Sequence, residues 1–123
     1  MFAPCAVARV IDPDTVARLH CSIVAGAAND TLSHPADAEL LAARGITYVP
    51  DFVANAGGVV DIHGLRMGWD EDRMRAEVLR IGDRTARLLA SADEQGWTPL
   101  TVAQQMAADR LAAIRAGHDA RVA

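Results

Sequence analysis

SIVAGAANDTLSHPADAELLAARGITYV, residues 22–49, alternates between two strand-like segments and one helical segment. Residues 22–26 and 46–49 are short, apolar and β-branched, which predicts two buried strands. Residues 36–43 carry a helical pattern, and Gly45 follows it as a candidate C-cap residue. A strand, a helix and a second strand in this order predict a parallel β-α-β crossover.

The rest of the chain continues this alternation and then becomes helical. We therefore predict an α/β fold, with a short parallel sheet covered by helices and a helical C-terminus. We expect one domain over residues 1–117, followed by a frayed tail at 118–123. The further predicted elements are a strand end at 2–5 and helices at 13–19, 55–67, 70–96 and 98–117.

Composition narrows the function classes. The net charge is −4, and the basic residues are scattered, so no stripe for a nucleic-acid backbone is predicted. No apolar run reaches the roughly 20 residues of a membrane helix, and the N-terminus does not resemble a signal peptide, so we expect a cytoplasmic protein. All 12 basic residues are arginine. The chain therefore has no side-chain amine for general-base or Schiff-base chemistry.

Cysteine and histidine usage does not predict a redox or metal centre. Cys5 and Cys21 do not form a CxxC pair, so buried, reduced thiols are the expected state. The 4 histidines are dispersed without metal-ligand spacing, and we predict no metal site.

Three turns follow the predicted strands, at the carboxyl ends where open parallel sheets bind ligands. We name them the Pro4 turn (residues 3–6), the Asn29 turn (residues 26–29) and the Asn55 turn (residues 55–58), and together they form the predicted rim. Ordinary turn chemistry explains each one alone, because proline, glycine and asparagine all favour turns. Together, however, they offer a shelf of backbone with only two long amide side chains, Asn29 and Asn55.

An amide both donates and accepts hydrogen bonds, which suits a flat carboxamide or a ribose hydroxyl. The phosphate-binding GxGxxG pattern is missing, so the residues by themselves support half of a dinucleotide site.

Four motifs stand in a characteristic order and spacing: FAPCA (2–6), IVAGAAND (23–30), GITYVPDFVANAGGVV (45–60) and MAADRLA (106–112). Through them the chain is similar, over residues 2–113, to the NAD-binding domain of the glutamate/leucine/phenylalanine/valine dehydrogenases. Through PDFVANAGG, MGW and IGD it looks most like phenylalanine dehydrogenase, and next like leucine and valine dehydrogenase. The resemblance implies the C-terminal half of a Rossmann-like NAD-binding domain.

The resemblance also implies an activity and a site. The reaction is the reversible oxidative deamination of an apolar L-amino acid, such as phenylalanine, leucine or valine, with hydride transfer to NAD. No catalytic residue is expected in this chain, because the family's catalytic lysines and aspartate lie in a separate domain. The implied cofactor-binding residues are Pro4, Cys5, Ala6, Ala27, Ala28, Asn29, Asn55, Gly57 and Gly58. The implied substrate-binding residues are Asn29, Asn55, Val59 and Ile62.

The chain departs from the family pattern in two turns. Arg9 stands where the turn is usually glycine, and Asp30 stands where a second asparagine is usual. These departures put a cation and a carboxylate close to the implied site.

Three hypotheses remain open from the sequence. In the first, the chain is a dehydrogenase fragment that is inactive alone. In the second, it is a non-catalytic nucleotide- or partner-binding module, which pairs through an exposed edge strand with a copy of itself or a complementary fragment. A clean monomer in light scattering would argue against that pairing. In the third, the chain folds poorly.

Overall fold

The computed structural model describes the backbone of residues 1–122 and the side chains of residues 1–116. The expected frayed tail, residues 118–123, lies outside the described side chains and stays a prediction. The elements in chain order are α1 Pro13–Arg18, β1 Ile23–Val24, α2 Asp37–Ala43, β2 Thr47–Tyr48, α3 Asp51–Ala54, α4 Gly57–Arg66, α5 Glu71–Gln95 and α6 Pro99–Val122.

The sheet confirms the predicted parallel crossover. Strands β1 and β2 are parallel, with Ile23 opposite Thr47 and Val24 opposite Tyr48, and α2 connects them. Phe2 forms a further parallel bridge to Val24. The strands are shorter than predicted. The last bond of the ladder runs from the Val49 N–H to the Val24 carbonyl, and α3 begins shortly after it, at Asp51.

A second parallel pairing, not predicted from the sequence, lies beside the sheet. Ile11 bridges Leu32. The Ile11 N–H donates to the Thr31 carbonyl at 3.0 Å, and the Ser33 N–H donates to the Ile11 carbonyl at 2.7 Å. This pairing fixes the chain that follows the Asn29 turn.

Side-chain caps and a glycine mark the ends of α1 and α5. Asp12 accepts from the Thr15 N–H at 2.7 Å, and this hydrogen bond lowers the pKa of its carboxyl. Asp70 accepts from the Arg73 N–H at 2.8 Å at the start of α5. Gly96 closes α5 with a left-handed φ of 66°.

The predicted helix at 55–67 differs from the observed structure at its start. A short helix, α3, already begins at Asp51, and α4 begins at Gly57. The Pro50 carbonyl accepts from the N–H groups of Val53 and Ala54, both at 3.0 Å, which starts a helical turn directly after β2.

The core consists of two clusters. The main cluster packs α1, α2 and both strands together, and its central side chains, Ile11, Val24 and Leu41, are fully buried. The second cluster joins α5 to α6 through Leu88, Ala92, Val102 and Ala103. Within residues 1–122, no helix has both the length and the apolar character needed to cross a bilayer.

Candidate functional site

The Pro4 turn and the Asn29 turn are in direct backbone contact. The Ala28 N–H donates to the Pro4 carbonyl at 3.0 Å. A Cβ atom on Gly26 would stand only 2.0 Å from the same carbonyl oxygen. Glycine at position 26 is therefore what allows these two turns to meet.

Asn55 joins the third turn to the second. Its Nδ2 donates to the Ala27 carbonyl at 3.3 Å, to the Ala28 carbonyl at 3.5 Å and to Asn29 Oδ1 at 2.5 Å. The predicted rim is thus formed by contacts between residues that are 26 to 28 positions apart in sequence.

The amide of Asn55 has a different orientation from the one expected for a ligand donor. Its N–H groups face the protein, where they hold the Asn29 turn. Among the hydrogen bonds of residues 1–116, Asn55 Oδ1 and Asn29 Nδ2 have no protein partner. These two atoms form the acceptor and donor pair that the rim can offer to a ligand.

The other implied site residues lie on an open surface beside this pair. Gly57 and Gly58 begin α4, and a Cβ on either would meet nothing within 4 Å. Val59 and Ile62, also on α4, leave 72% and 63% of their surface exposed. The structure therefore places an apolar surface next to the two glycines.

The implied residues of the Pro4 turn are divided by burial. Cys5 and Ala6 are exposed, whereas Pro4 is buried under the Asn29 turn. The expectation of buried thiols is therefore wrong for Cys5, and Cys21 is only half-buried. Because the Pro4 carbonyl is already paired with the Ala28 N–H, Pro4 supports the rim from below.

Sequence reasoning missed a polar network that follows the Asn29 turn, in which the hydroxyl pair of Thr31 and Tyr48 is buried. Asp51 Oδ2 accepts from the Thr31 N–H at 3.0 Å, and Asp51 Oδ1 accepts from the Phe52 N–H at 2.7 Å. The Thr31 hydroxyl and the Tyr48 hydroxyl share a hydrogen bond of 2.9 Å. One signal was available: Asp51 is a carboxylate just beyond the carboxyl end of a predicted strand, where side chains from neighbouring strand ends meet.

Burial raises the pKa of the Tyr48 hydroxyl above its ordinary value, despite the opposing effect of its hydrogen bond with Thr31. Tyr48 and Thr31 are only 4% and 1% exposed. The hydroxyl pair therefore stabilises the folded chain in the neutral form of Tyr48.

We expect the variant Tyr48→Phe to lose about 1 to 2 kcal/mol of unfolding free energy at neutral pH, because the Thr31 hydroxyl stays buried without its partner. Since the folded-state pKa of Tyr48 is raised, the wild-type stability from this group is present below about pH 10 and declines as the pH rises further. Urea unfolding at neutral and alkaline pH measures both effects, and the deficit of the variant should shrink in alkali.

The double variant Thr31→Val/Tyr48→Phe is the control for this pair. It removes both hydroxyls and should be more stable than the sum of the two single losses predicts. A strictly additive double variant would contradict a direct hydrogen bond between the two side chains.

In the described part of the chain, a large cleft lies away from the rim. A cleft of about 600 Å³ lies at the amino end of β2, between α2, α5 and α6, and no rim residue lines it. A smaller cavity of about 200 Å³ lies behind the Asn29 turn, against Asp30, Thr31, Tyr48 and Asp51. Cleft size alone therefore does not locate the candidate site.

Comparison with known proteins gives the family. The sequence profile of the Glutamate/Leucine/Phenylalanine/Valine dehydrogenase family matches residues 1–118. The chain belongs to this family. A valine dehydrogenase of Streptomyces coelicolor is 42% identical over 115 residues, covering 94% of this chain and 32% of its own length. A leucine dehydrogenase of Thermoactinomyces intermedius is 35% identical, with coverage of 94% and 31%.

A solved structure confirms the predicted fold class. The crystal structure of L-tryptophan dehydrogenase from Nostoc punctiforme matches with a TM-score of 0.84 and 38% identity, over 89% of this chain and 34% of that chain. The chain is a mostly helical α/β unit with a short parallel sheet, as in that member of the family.

Two facts from these comparisons bear on function. The relatives just described are named valine, leucine and tryptophan dehydrogenases, so the expected order with phenylalanine dehydrogenase first is corrected. The chain also spans about a third of the length of these relatives. We therefore extend the activity of the whole enzymes to this chain only as a proposal.

Proposed function

We propose that this chain supplies the nicotinamide side of an NAD site in a dehydrogenase of apolar L-amino acids. The observation that carries the proposal is the amide of Asn55, which joins the Asn29 turn to the start of α4. The acceptor Asn55 Oδ1 and the donor Asn29 Nδ2 are left without a partner among the described residues. Gly57 and Gly58 fit this role, because the space where their Cβ atoms would lie is free for a flat ligand.

The residues divide into supporting and contacting groups in this proposal. Pro4 and Ala28 hold the rim together through their backbone bond. Asn29 and Asn55 orient the nicotinamide end and the amino acid through side-chain hydrogen bonds. Cys5, Ala6 and Ala27 lie along the cofactor's ribose, which needs small exposed residues. When bound, NAD accepts the hydride that the oxidation of the amino acid releases.

Val59 and Ile62 define the substrate class in this proposal. Both side chains are exposed on α4, close to the glycines. Such a surface favours the apolar side chain of valine, leucine or a larger apolar amino acid. It disfavours glutamate, whose carboxylate would lose its hydration without a charged partner.

We propose further that these 123 residues do not turn over an amino acid by themselves, because they contain no lysine. The assay is NADH formation by the purified chain with NAD and valine, leucine or phenylalanine. No turnover is expected, and steady NADH formation that scales with chain concentration would contradict this part of the proposal.

The test of binding is thermal unfolding of the purified chain with and without NAD. At an NAD concentration about ten times Kd, binding to the folded state adds roughly 1.4 kcal/mol, which raises Tm by about 4 to 6 °C. An unchanged, cooperative transition in millimolar NAD would contradict the binding role.

We expect Asn55→Ala to lose most of this NAD-dependent rise. The variant should also lose about 1 to 2 kcal/mol of unfolding free energy without ligand, since the Ala27 carbonyl and Asn29 lose their donor. Gln95→Ala is the matched control, because it removes an exposed amide that bonds only to Ser91 on α5. This control should respond to NAD as the wild type does.

A further inference from the structure

Within residues 1–122, two residues other than glycine adopt left-handed backbone conformations, and they contact each other. Arg9 and Asp30 both have a φ of 54°. This conformation brings the Cβ atom close to the following carbonyl, which is unfavourable for arginine and better tolerated by aspartate. Arg9 comes shortly after the Pro4 turn, and Asp30 directly follows the Asn29 turn.

Three hydrogen bonds hold the two residues in this conformation. The Arg9 N–H donates to the Asp30 carbonyl at 2.7 Å. Arg9 Nε also donates to Asp30 Oδ2 at 3.1 Å, which makes an ion pair. On the other side, Ser33 Oγ donates to the Arg9 carbonyl at 3.1 Å.

The ion pair alone is a weak contact. The side chains of Arg9 and Asp30 are 71% and 64% exposed, so water and salt screen their attraction. The ion pair also restrains the backbone, because it joins the same two residues as the bond from the Arg9 N–H to the Asp30 carbonyl. Each residue thereby supports the unfavourable conformation of the other.

We infer that Arg9 and Asp30 act as one positioning unit, which fixes the backbone behind Asn29 and masks the carboxylate beside it. Asn29 immediately precedes Asp30, so the direction of its amide depends on the backbone at this point. The importance of that direction for a ligand rests on the proposed function. The coupling between Arg9 and Asp30 does not depend on it.

A double-mutant cycle tests the coupling without any ligand. Arg9→Ala keeps a Cβ in the left-handed conformation and removes the guanidinium, whereas Asp30→Asn keeps shape and left-handed tolerance and removes the charge. The readout is the hydrogen-exchange protection of the amides at position 9 and at Ala28. The reference is the Val49 amide, which bonds to Val24 inside the sheet.

Each single variant should reduce protection at position 9 and at Ala28 about two- to fivefold, with Val49 unchanged. The double variant should lose no more protection at these amides than the more strongly affected single variant loses. In the wild type, about 1 M salt should cause the same loss of protection. Losses that multiply in the double variant, or an equal loss at Val49, would overturn the inference.

The charges give a second readout that a purely structural role would not change. The nicotinamide of NAD⁺ carries a positive charge, whereas that of NADH does not. Arg9→Ala leaves the carboxylate unmasked and should lower the ratio of Kd for NAD⁺ to Kd for NADH about twofold, and Asp30→Asn should raise it.

The two readouts separate the inference from the proposed function. Equal weakening of both cofactors in both variants would contradict charge masking. A chain that binds neither cofactor would overturn the proposed function, and the exchange cycle would still decide whether Arg9 and Asp30 are coupled.

Discussion

Replacing Gly26 by alanine should lower the unfolding free energy by about 3 kcal/mol or more, and Tm by roughly 10 °C or more. The added Cβ would lie 2.0 Å from the Pro4 carbonyl oxygen and 2.7 Å from the Pro4 backbone carbon and nitrogen. These are backbone atoms, so no side-chain rotation can relieve the overlap. The two turns must separate, which also breaks the bond from the Ala28 N–H to the Pro4 carbonyl.

Gly82→Ala is the matched control for this variant. Gly82 lies within α5, and a Cβ there would meet nothing within 4 Å. Alanine at an exposed helical position should leave stability unchanged or raise it by up to about 1 kcal/mol. Thermal unfolding of both variants measures the contrast. A Gly26→Ala chain with the Tm of the wild type would contradict direct contact between the Pro4 and Asn29 turns.

Replacing Gly58 by alanine should separate binding from stability. A Cβ at this position meets nothing in the free chain, so the helix should be as stable as before or gain up to about 1 kcal/mol. If the cofactor lies against this surface, the same methyl group occupies its space. We therefore expect NAD affinity to fall tenfold or more, which is a loss of about 1.4 kcal/mol in binding free energy.

Titration calorimetry with NAD measures this loss, and Gly82→Ala again serves as the control that should keep wild-type affinity. The Gly58 result contradicts the account if the variant is well folded and binds NAD as tightly as the wild type. In that case the glycines would serve the chain's own conformation and no ligand.

The parts of the fold that sequence predicts are those that depend on near neighbours. Asp12, Asp70 and Thr98 cap helices through bonds to residues three positions ahead, so the cap and its partner appear together in the sequence. The parallel crossover around α2 pairs strands that are distant in sequence, but each of its strands and its helix is recognised from a local pattern of residues.

The fine structure of the rim depends on distant contacts. The orientation of the Asn55 amide follows from carbonyls 27 and 28 positions earlier. The bond from the Thr31 N–H to Asp51 spans 20 positions, and the pair of Arg9 and Asp30 spans 21. A residue's type shows that it can form such bonds, but only the packed chain shows which partner it meets.

This difference explains why the location of the rim was predicted and its internal bonding was not. The carboxyl ends of parallel strands meet in any such sheet, which places Asn29 near Asn55. Whether the N–H groups or the oxygen of a side-chain amide stay free for a ligand depends on which of them the protein itself binds. In this chain the protein takes the N–H groups of Asn55 and leaves its oxygen.

The most direct test of the central claim is an NMR titration of the chain with NAD, following the side-chain amide signals of Asn29 and Asn55. We expect both signals to shift with NAD concentration, together with the backbone amide of Gly58. The amide of Gln95, at the far end of α5, should stay unchanged. A folded chain whose Asn29 and Asn55 signals ignore millimolar NAD would contradict the claim that this rim is the nicotinamide side of a cofactor site.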